Sequence, residues 1–426
     1  MEQIVTAMPL LLLFITWGRC IKTYFSPCGI MTGIWSIFLI IHLLIVPNYK
    51  FSYTAGFIID VLIIFFFLGE FTIFIASNKF NRIKKGYSFT LKIVNGKFEK
   101  RLRMIIIALG LISFIGSLLY FRVFYIHFGS FQNLFTAGWF IRQELGEGLI
   151  NVPLSIRIMA LTAYSNLVLS LIYWIYFKFR WFLTIPCICI LLMGIAQAGR
   201  GGTYMMLITI FFAGYWRDKL YGTSHVGYKL FRRIVIFSIS IIVIFTLGLA
   251  YREQSFGTEL FLYQQIDTYK SYACGAISAF SVFWDKHSLL DTDLTLGLYS
   301  FSSLFELLGI EKLPSGFYDE YLYISNINNE VTNNYTLFRP ALEDFGLSAL
   351  AYMFLLGAVF SYVFRYASKG NTAALAFIIV AYTMLAFSII APLTQHNTIL
   401  LGFIMPSFIL HIITNERFHL LPTKRP

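Results

Sequence analysis

Charge is what this sequence has least of. Asp, Glu, Lys and Arg make up 13% of its 426 residues, against 58% hydrophobic ones, whereas an ordinary soluble domain is about one quarter charged. A water-soluble globule of this length is excluded. Missing too are the segments of about 10 residues, alternating in polarity, that mark a membrane β-barrel. Cysteine gives no framework either: Cys20, Cys28, Cys187, Cys189 and Cys274 are an odd set without metal-like spacing. Cys187 and Cys189 fall inside an apolar run, where thiols act as small hydrophobes. The chain has no internal repeat and no low-complexity stretch. Before the first apolar run stands Met1-Glu2-Gln3, without the basic residues that open a cleaved signal peptide.

What is present is a succession of apolar runs near the length that crosses a hydrocarbon core of roughly 30 Å. Lipid offers no partners to free backbone groups, so such runs are helical. The expected class is all-α, a polytopic membrane protein with about eleven spans: 4–17, 28–47, 55–77, 104–125, 156–177, 181–198, 203–216, 234–250, 347–364, 372–391 and 397–415. Three parts follow: an N-terminal bundle of about eight helices over 1–250, a large loop over 251–346, and C-terminal helices with a short tail over 347–426.

The net charge of +12 suggests nucleic acid until its distribution is read. Loops 18–27, 78–103, 178–180, 217–233, 365–371 and the tail from 416 hold 23 of the 33 Lys and Arg, with only Glu99, Asp218 and Glu416 as acids. Basic loops stay in the cytoplasm, so this set is expected inside and the N-terminus outside. The first run is short, and an interfacial position for it, with the N-terminus inside, remains an alternative. The basic segment 78–103 reads as a topology determinant, with an anionic-lipid or partner surface as the alternative.

Two outward loops remain, 126–155 and 251–346. A loop near a hundred residues is usually a functional module. This one is acidic and aromatic, with Tyr263, Tyr269, Tyr272, Phe280, Phe283, Trp284, Tyr318, Tyr321, Tyr323 and Tyr335 among others. Aromatic faces with interleaved carboxylates and amides suit sugar rings; the competing use is packing at the membrane surface.

Candidate chemistry starts with arginine. Gly199-Arg200-Gly201-Gly202-Thr203 makes a tight outer turn whose bare backbone lets an anion reach both guanidinium and N–H groups. Arg252 opens the large loop, and Arg339 lies in its closing stretch Asn333 to Gly346. Three outward guanidinium groups can grip a pyrophosphate and stabilise its departure. In the closing stretch Pro340 suits a first helical position, with Glu343 and Asp344 near the positive helix end. His396, at the outer turn before the last span, is a candidate base. Asp60 and Glu70 lie within the third span, where acids are costly. Ten residues apart, they sit about 80° off a common face and are not expected to pair; Glu70 is expected to bond a neighbouring helix. Arg142 and Arg157 either add positive charge or pair with Glu144 and Glu147. Asp291-Thr292-Asp293 is a weak metal motif.

The stretch Asn334-Tyr335-Thr336-Leu337-Phe338-Arg339-Pro340, followed by Glu343-Asp344-Phe345-Gly346 and a span, resembles bacterial O-antigen polymerases, the oligosaccharide repeat-unit polymerases. Gly199-Arg200-Gly201 and Arg252 are similar to that family's Arg–Gly motif and loop-opening Arg. The likeness covers the layout from about residue 180 to 365. It implies a GT-C-like helical bundle in the bacterial inner membrane, with one large periplasmic loop and the active site on the periplasmic face. The implied activity is transfer of an undecaprenyl-pyrophosphate-linked glycan onto a lipid-linked repeat unit, without cofactor, metal or nucleic acid. Arg200, Arg252 and Arg339 would hold the pyrophosphate, and Glu343, Asp344 or His396 would be the base. Membrane lipids and a chain-length regulator are the implied partners. O-antigen ligases share the layout, but their His–Asn pair is replaced here by Asn333-Asn334. A flippase of lipid-linked oligosaccharide is the rival from another class; the chain lacks the paired halves expected of transporters.

Overall fold

The computed structural model describes residues 2–81, 96–130, 149–197, 201–221, 261–287, 294–308, 321–325, 330–332, 334–390 and 397–414, with isolated positions between them. Its helices, in chain order, are α1 (Glu2–Ile21), α2 (Pro27–Ile45), α3 (Tyr53–Asn81), α4 (Gly96–Phe128), α5 (Leu154–Tyr176), α6 (Ile185–Ala196) and α7 (Gly201–Leu220). They continue with α8 (Phe261–Lys286), α9 (Ser302–Leu307), α10 (Phe338–Phe345), α11 (Ala349–Ser368), α12 (Thr372–Phe387) and α13 (Asn397–Thr414). Strands β1 (Leu322–Tyr323) and β2 (Val331–Thr332) pair antiparallel, Leu322 opposite Thr332.

Among the described residues, six helices are long and apolar enough to cross a membrane: Glu2–Ile21, Pro27–Ile45, Tyr53–Ser77, Gly96–Phe128, Leu154–Tyr176 and Phe338–Ser368. Trp181–Ala196, Thr372–Phe387 and Leu401–Thr414 are apolar but shorter. The chain is a mostly helical, multi-pass membrane protein. The expected span 234–250 falls largely outside the described residues.

Three boundaries differ from the sequence reading. The run at 181–198 is a 3-10 turn over Trp181–Thr184 and then a helix of 12 residues, because Pro186 can only sit in the first turn of a new helix. The span expected from 347 begins at Phe338 and breaks at Gly346, whose φ of +52° ends α10 before α11 resumes. Pro340 is therefore inside the first turn, not at its first position. The helix expected from 104 begins at Gly96, so Lys97, Lys100, Arg101 and Arg103 are helical.

The chain divides into two compact units. The first comprises Met1–Ser88, Ser255–Arg365 and Ala381–Asn397. Here Lys22, at φ +60°, turns α1 into α2. Ser26 caps α2 by accepting from Gly29 N at 3.1 Å, with Pro27 at the first position. Helices α3 and α11 cross in van der Waals contact. A methyl on Gly69 would strike the Phe354 carbonyl, and one on Gly357 the Phe66 carbonyl, the small-residue approach by which lipid-embedded helices associate. The segment joining α2 to α3 docks on the later chain. Lys50 N donates to Ile324 O at 2.7 Å, Ser52 Oγ to Asp285 at 2.7 Å, and Thr54 Oγ1 to Asp285 at 3.0 Å. Two segments expected on the outer side therefore share one end of this unit.

The second unit comprises Phe89–Gln254, Tyr366–Val380 and Thr398–Pro426. Helices α4 and α5 meet where Gly116 faces Met159 and Ala160. Ser165 Oγ donates to Leu401 O at 2.9 Å. Tyr173 Oη donates to Glu99 at 2.8 Å, Tyr176 Oη to Gly370 O at 2.9 Å, and Tyr221 Oη to Tyr176 O at 3.2 Å. Glu99, Tyr176, Tyr221 and Gly370, at or beside stretches expected inside, thus meet at one end of this unit.

Candidate functional site

The closing stretch of the large loop is fixed before the helix begins. Thr332 Oγ1 accepts from Asn334 N at 3.2 Å, and Leu337 N donates to Ser388 O at 2.7 Å. Phe338, fully buried, lies 4.7 Å from the Trp35 ring and 6.1 Å from Phe280, centroid to centroid. Trp35 is itself tied by Nε1 to Ser388 Oγ at 3.0 Å. With its neighbour so anchored, Arg339 is set among aromatic faces. Its guanidinium carbon is 3.9 Å from the centre of Tyr335 and 4.5 Å from that of Phe283. Arg339 Nε donates to Glu343 Oε1 at 3.0 Å, one helical turn on. Arg339 is 4% exposed, so ring quadrupoles and a carboxylate replace its hydration.

Asp344 occupies a different environment. Fully buried, it accepts through Oδ1 from Thr295 Oγ1 at 2.5 Å and Tyr299 N at 3.0 Å, and through Oδ2 from Ser300 N at 2.5 Å. Backbone bonds Thr295 N to Glu343 O (3.3 Å) and Leu296 N to Asp344 O (3.1 Å) complete the joint. This carboxylate folds the 295–300 turn onto α10. With both oxygens engaged by donors, it is poorly placed to take a substrate proton; of the two acids in this stretch, Glu343 keeps partial exposure.

Arg200, Arg252 and His396 lie outside the described residues, as do Arg142 and Asp291-Thr292-Asp293. The turn around Arg200 is described at its flanks. Gly199 N donates to Gly194 O at 2.9 Å, closing α6, and Gln197 Nε2 bonds Tyr120 Oη. Among the described residues nothing lies within 4 Å of a methyl built on Gly201, whereas one on Gly202 would collide with Tyr164. Gly202 thus serves close packing.

The two intramembrane acids separate in role. Glu70 is fully buried and accepts from Trp17 Nε1 at 2.8 Å and Cys28 N at 2.7 Å, joining α1, α3 and the first turn of α2. That is the helix-to-helix bond expected of it. Asp60 is half-buried, and its Oδ1 has no hydrogen-bond partner among the described residues. Glu144 is bonded by His127 Nε2 at 2.8 Å. In α8, burial pushes the Cys274 thiol up to about 12, which leaves it protonated and inert near neutrality. Among the described residues no group of three His, Cys, Asp or Glu side chains could hold a metal ion.

Sequence reasoning placed Phe283 and Tyr335 among sugar-binding or interfacial aromatics; it did not foresee them as the two faces of the Arg339 site. Nor did it single out His42, whose Nε2 is 2.7 Å from Ser278 Oγ. A lone His in an apolar run and a Ser in a helix far along the chain carry no local signal. No family model, no curated protein and no solved structure matches this chain.

Proposed function

We propose that this protein is a periplasmic-face repeat-unit polymerase of the bacterial inner membrane, with about eleven spans in a GT-C-like bundle. The single observation that carries the proposal is the Arg339 site: a guanidinium enclosed by Tyr335 and Phe283 and paired with Glu343 at the start of a candidate span. It falls within the motif that resembles the O-antigen polymerases.

In this reading a lipid-linked pyrophosphate takes the place of the Glu343 carboxylate at Arg339. The planar fork matches phosphate oxygens in pairs, and in a site this dry the attraction exceeds its value in water. The displaced Glu343 is then the base. A sugar hydroxyl of the acceptor repeat unit attacks the anomeric carbon of the donor glycan, and the bond from that carbon to the pyrophosphate oxygen breaks. The hydroxyl proton passes to Glu343, and undecaprenyl pyrophosphate leaves with its electron pair and two phosphoryl groups, neutralised by Arg339 together with Arg200 and Arg252. Undecaprenyl-pyrophosphate-linked glycans are the substrates and no cofactor is needed. A separate chain-length regulator is the expected partner.

Reconstitution tests this directly. Purified protein given defined lipid-linked repeat units should build a ladder of products. Arg339→Lys, which keeps the charge but loses the fork, should leave single units. A wild-type protein that yields no ladder would overturn polymerisation, and a deletion strain that accumulates lipid-linked units on the cytoplasmic face would put transport in its place. Transfer of glycan to lipid core without elongation would assign the ligase reaction instead.

A further inference from the structure

Away from Arg339, the second unit contains an open cleft of ≈ 490 Å³ lined by Glu99, Tyr173, Tyr176, Phe177, Lys178, Arg180, Arg217 and Tyr221. Its residues come from the start of α4, the end of α5 with the turn after it, and the end of α7. Three basic side chains face one carboxylate. Among the described residues, none of the three makes an ion pair with an acid. Glu99 is held aside by the Tyr173 hydroxyl at 2.8 Å, and Arg217 is fixed over the Trp174 ring at 4.8 Å.

We propose that this cleft binds a net-anionic phosphoryl group. Two guanidinium groups and an ammonium supply the donors that phosphate oxygens accept. The cavity is large enough for a headgroup or a small phosphate ester. Its level relative to a bilayer points to the same chemistry. Phe179 and Trp181, 59% and 76% exposed, flank the cleft, as aromatic residues do at the headgroup layer. The loops that form it are those whose basic charge assigns them to the cytoplasmic side, where basic pockets between helices take anionic lipid heads. Lipid headgroup and soluble phosphate share this chemistry, and the site does not depend on the polymerase reading.

The test uses the full-length protein in detergent micelles and native mass spectrometry. Phosphatidylglycerol, phosphatidylcholine and inorganic pyrophosphate are titrated separately. At least one of the two anionic probes should bind well above phosphatidylcholine and weaken as salt rises. Arg180→Gln with Arg217→Gln should lower that affinity about tenfold or more; Lys178→Gln, which removes an ammonium without a planar fork, should lower it less. Lys50→Gln, a charge change in the other unit, should leave it unchanged. Phosphatidylglycerol binding with pyrophosphate inactive makes the ligand a lipid, and the reverse makes it soluble. Binding of neither anion above phosphatidylcholine, or affinities untouched by all three cleft substitutions, would overturn the proposal.

Discussion

Two arginine sites of this protein solve opposite problems. Around Arg339 the charge is enclosed: aromatic rings cover its faces, Glu343 takes its Nε, and 4% of it is exposed. In the cleft around Arg180 and Arg217 the charges stay at the surface, with tyrosines beside them and a single carboxylate drawn off to one side. An enclosed cation is expensive unless every neighbour is right, so its substitution is felt by the fold. An exposed one contributes little to stability, so its substitution is felt by whatever it binds. The same residue type therefore serves one site whose loss is felt first by the fold and another whose loss is felt chiefly by its ligand.

The comparison breaks most visibly at Arg339 itself. Arg339→Ala leaves the Glu343 carboxylate without its cation and should cost about 3–5 kcal/mol, read by thermal unfolding in detergent. A variant as stable as wild type would mean that the guanidinium is not buried as described. Next comes Asp344→Asn, which keeps shape but replaces one charged acceptor by a donor facing Thr295, Tyr299 and Ser300. A loss of about 2–3 kcal/mol is expected, with new protease cleavage within 294–300. Gly357→Leu probes packing without charge. Its side chain must displace the Phe66 backbone, and a cost of about 1–3 kcal/mol follows. Smallest is Arg180→Gln, for which unfolding should shift by less than about 0.5 kcal/mol while anion affinity falls. A large stability loss there would show that the cleft, too, is a structural site.

Much of the architecture was legible because lipid imposes a coarse rule: uncharged runs near 20 residues become helices, and basic loops gather on one side. The convergence of Glu99, Lys178, Arg217 and Gly370 at one end of a unit, and of Lys50, Asp285 and Ile324 at one end of the other, agrees with that sorting. Glu70 was legible as a helix-to-helix bond because a buried carboxylate must find donors. Less was visible at the site. Arg339 and Glu343 stand four apart and could be paired by eye, but Phe283 arrives from α8 and Trp35, behind Phe338, from α2, and pairings across such separations leave no pattern in the sequence. Asp344 looked like a catalytic acid because its neighbours do; only the 295–300 turn, folded back onto it, assigns it to architecture. The α-helical start at Ile185 and the start at Phe338 with its break at Gly346 were missed because hydropathy does not register a proline-set start or a break at one glycine.

The lashing of residues 50–54 to Asp285 and Ile324 has a consequence for biogenesis. A ribosome delivers the link between α2 and α3 long before α8 or β1 exists, so that link waits in an unfinished state while more than two hundred further residues are threaded and inserted. Closure over so long a loop is slow, and the joint of residues 50–54 with α8 and Ile324 cannot be completed until it happens. Assembly of this end of the unit should therefore be among the last events in maturation. Ser52→Ala, which removes its hydroxyl's bond to Asp285, should delay that closure more than it disturbs any helix.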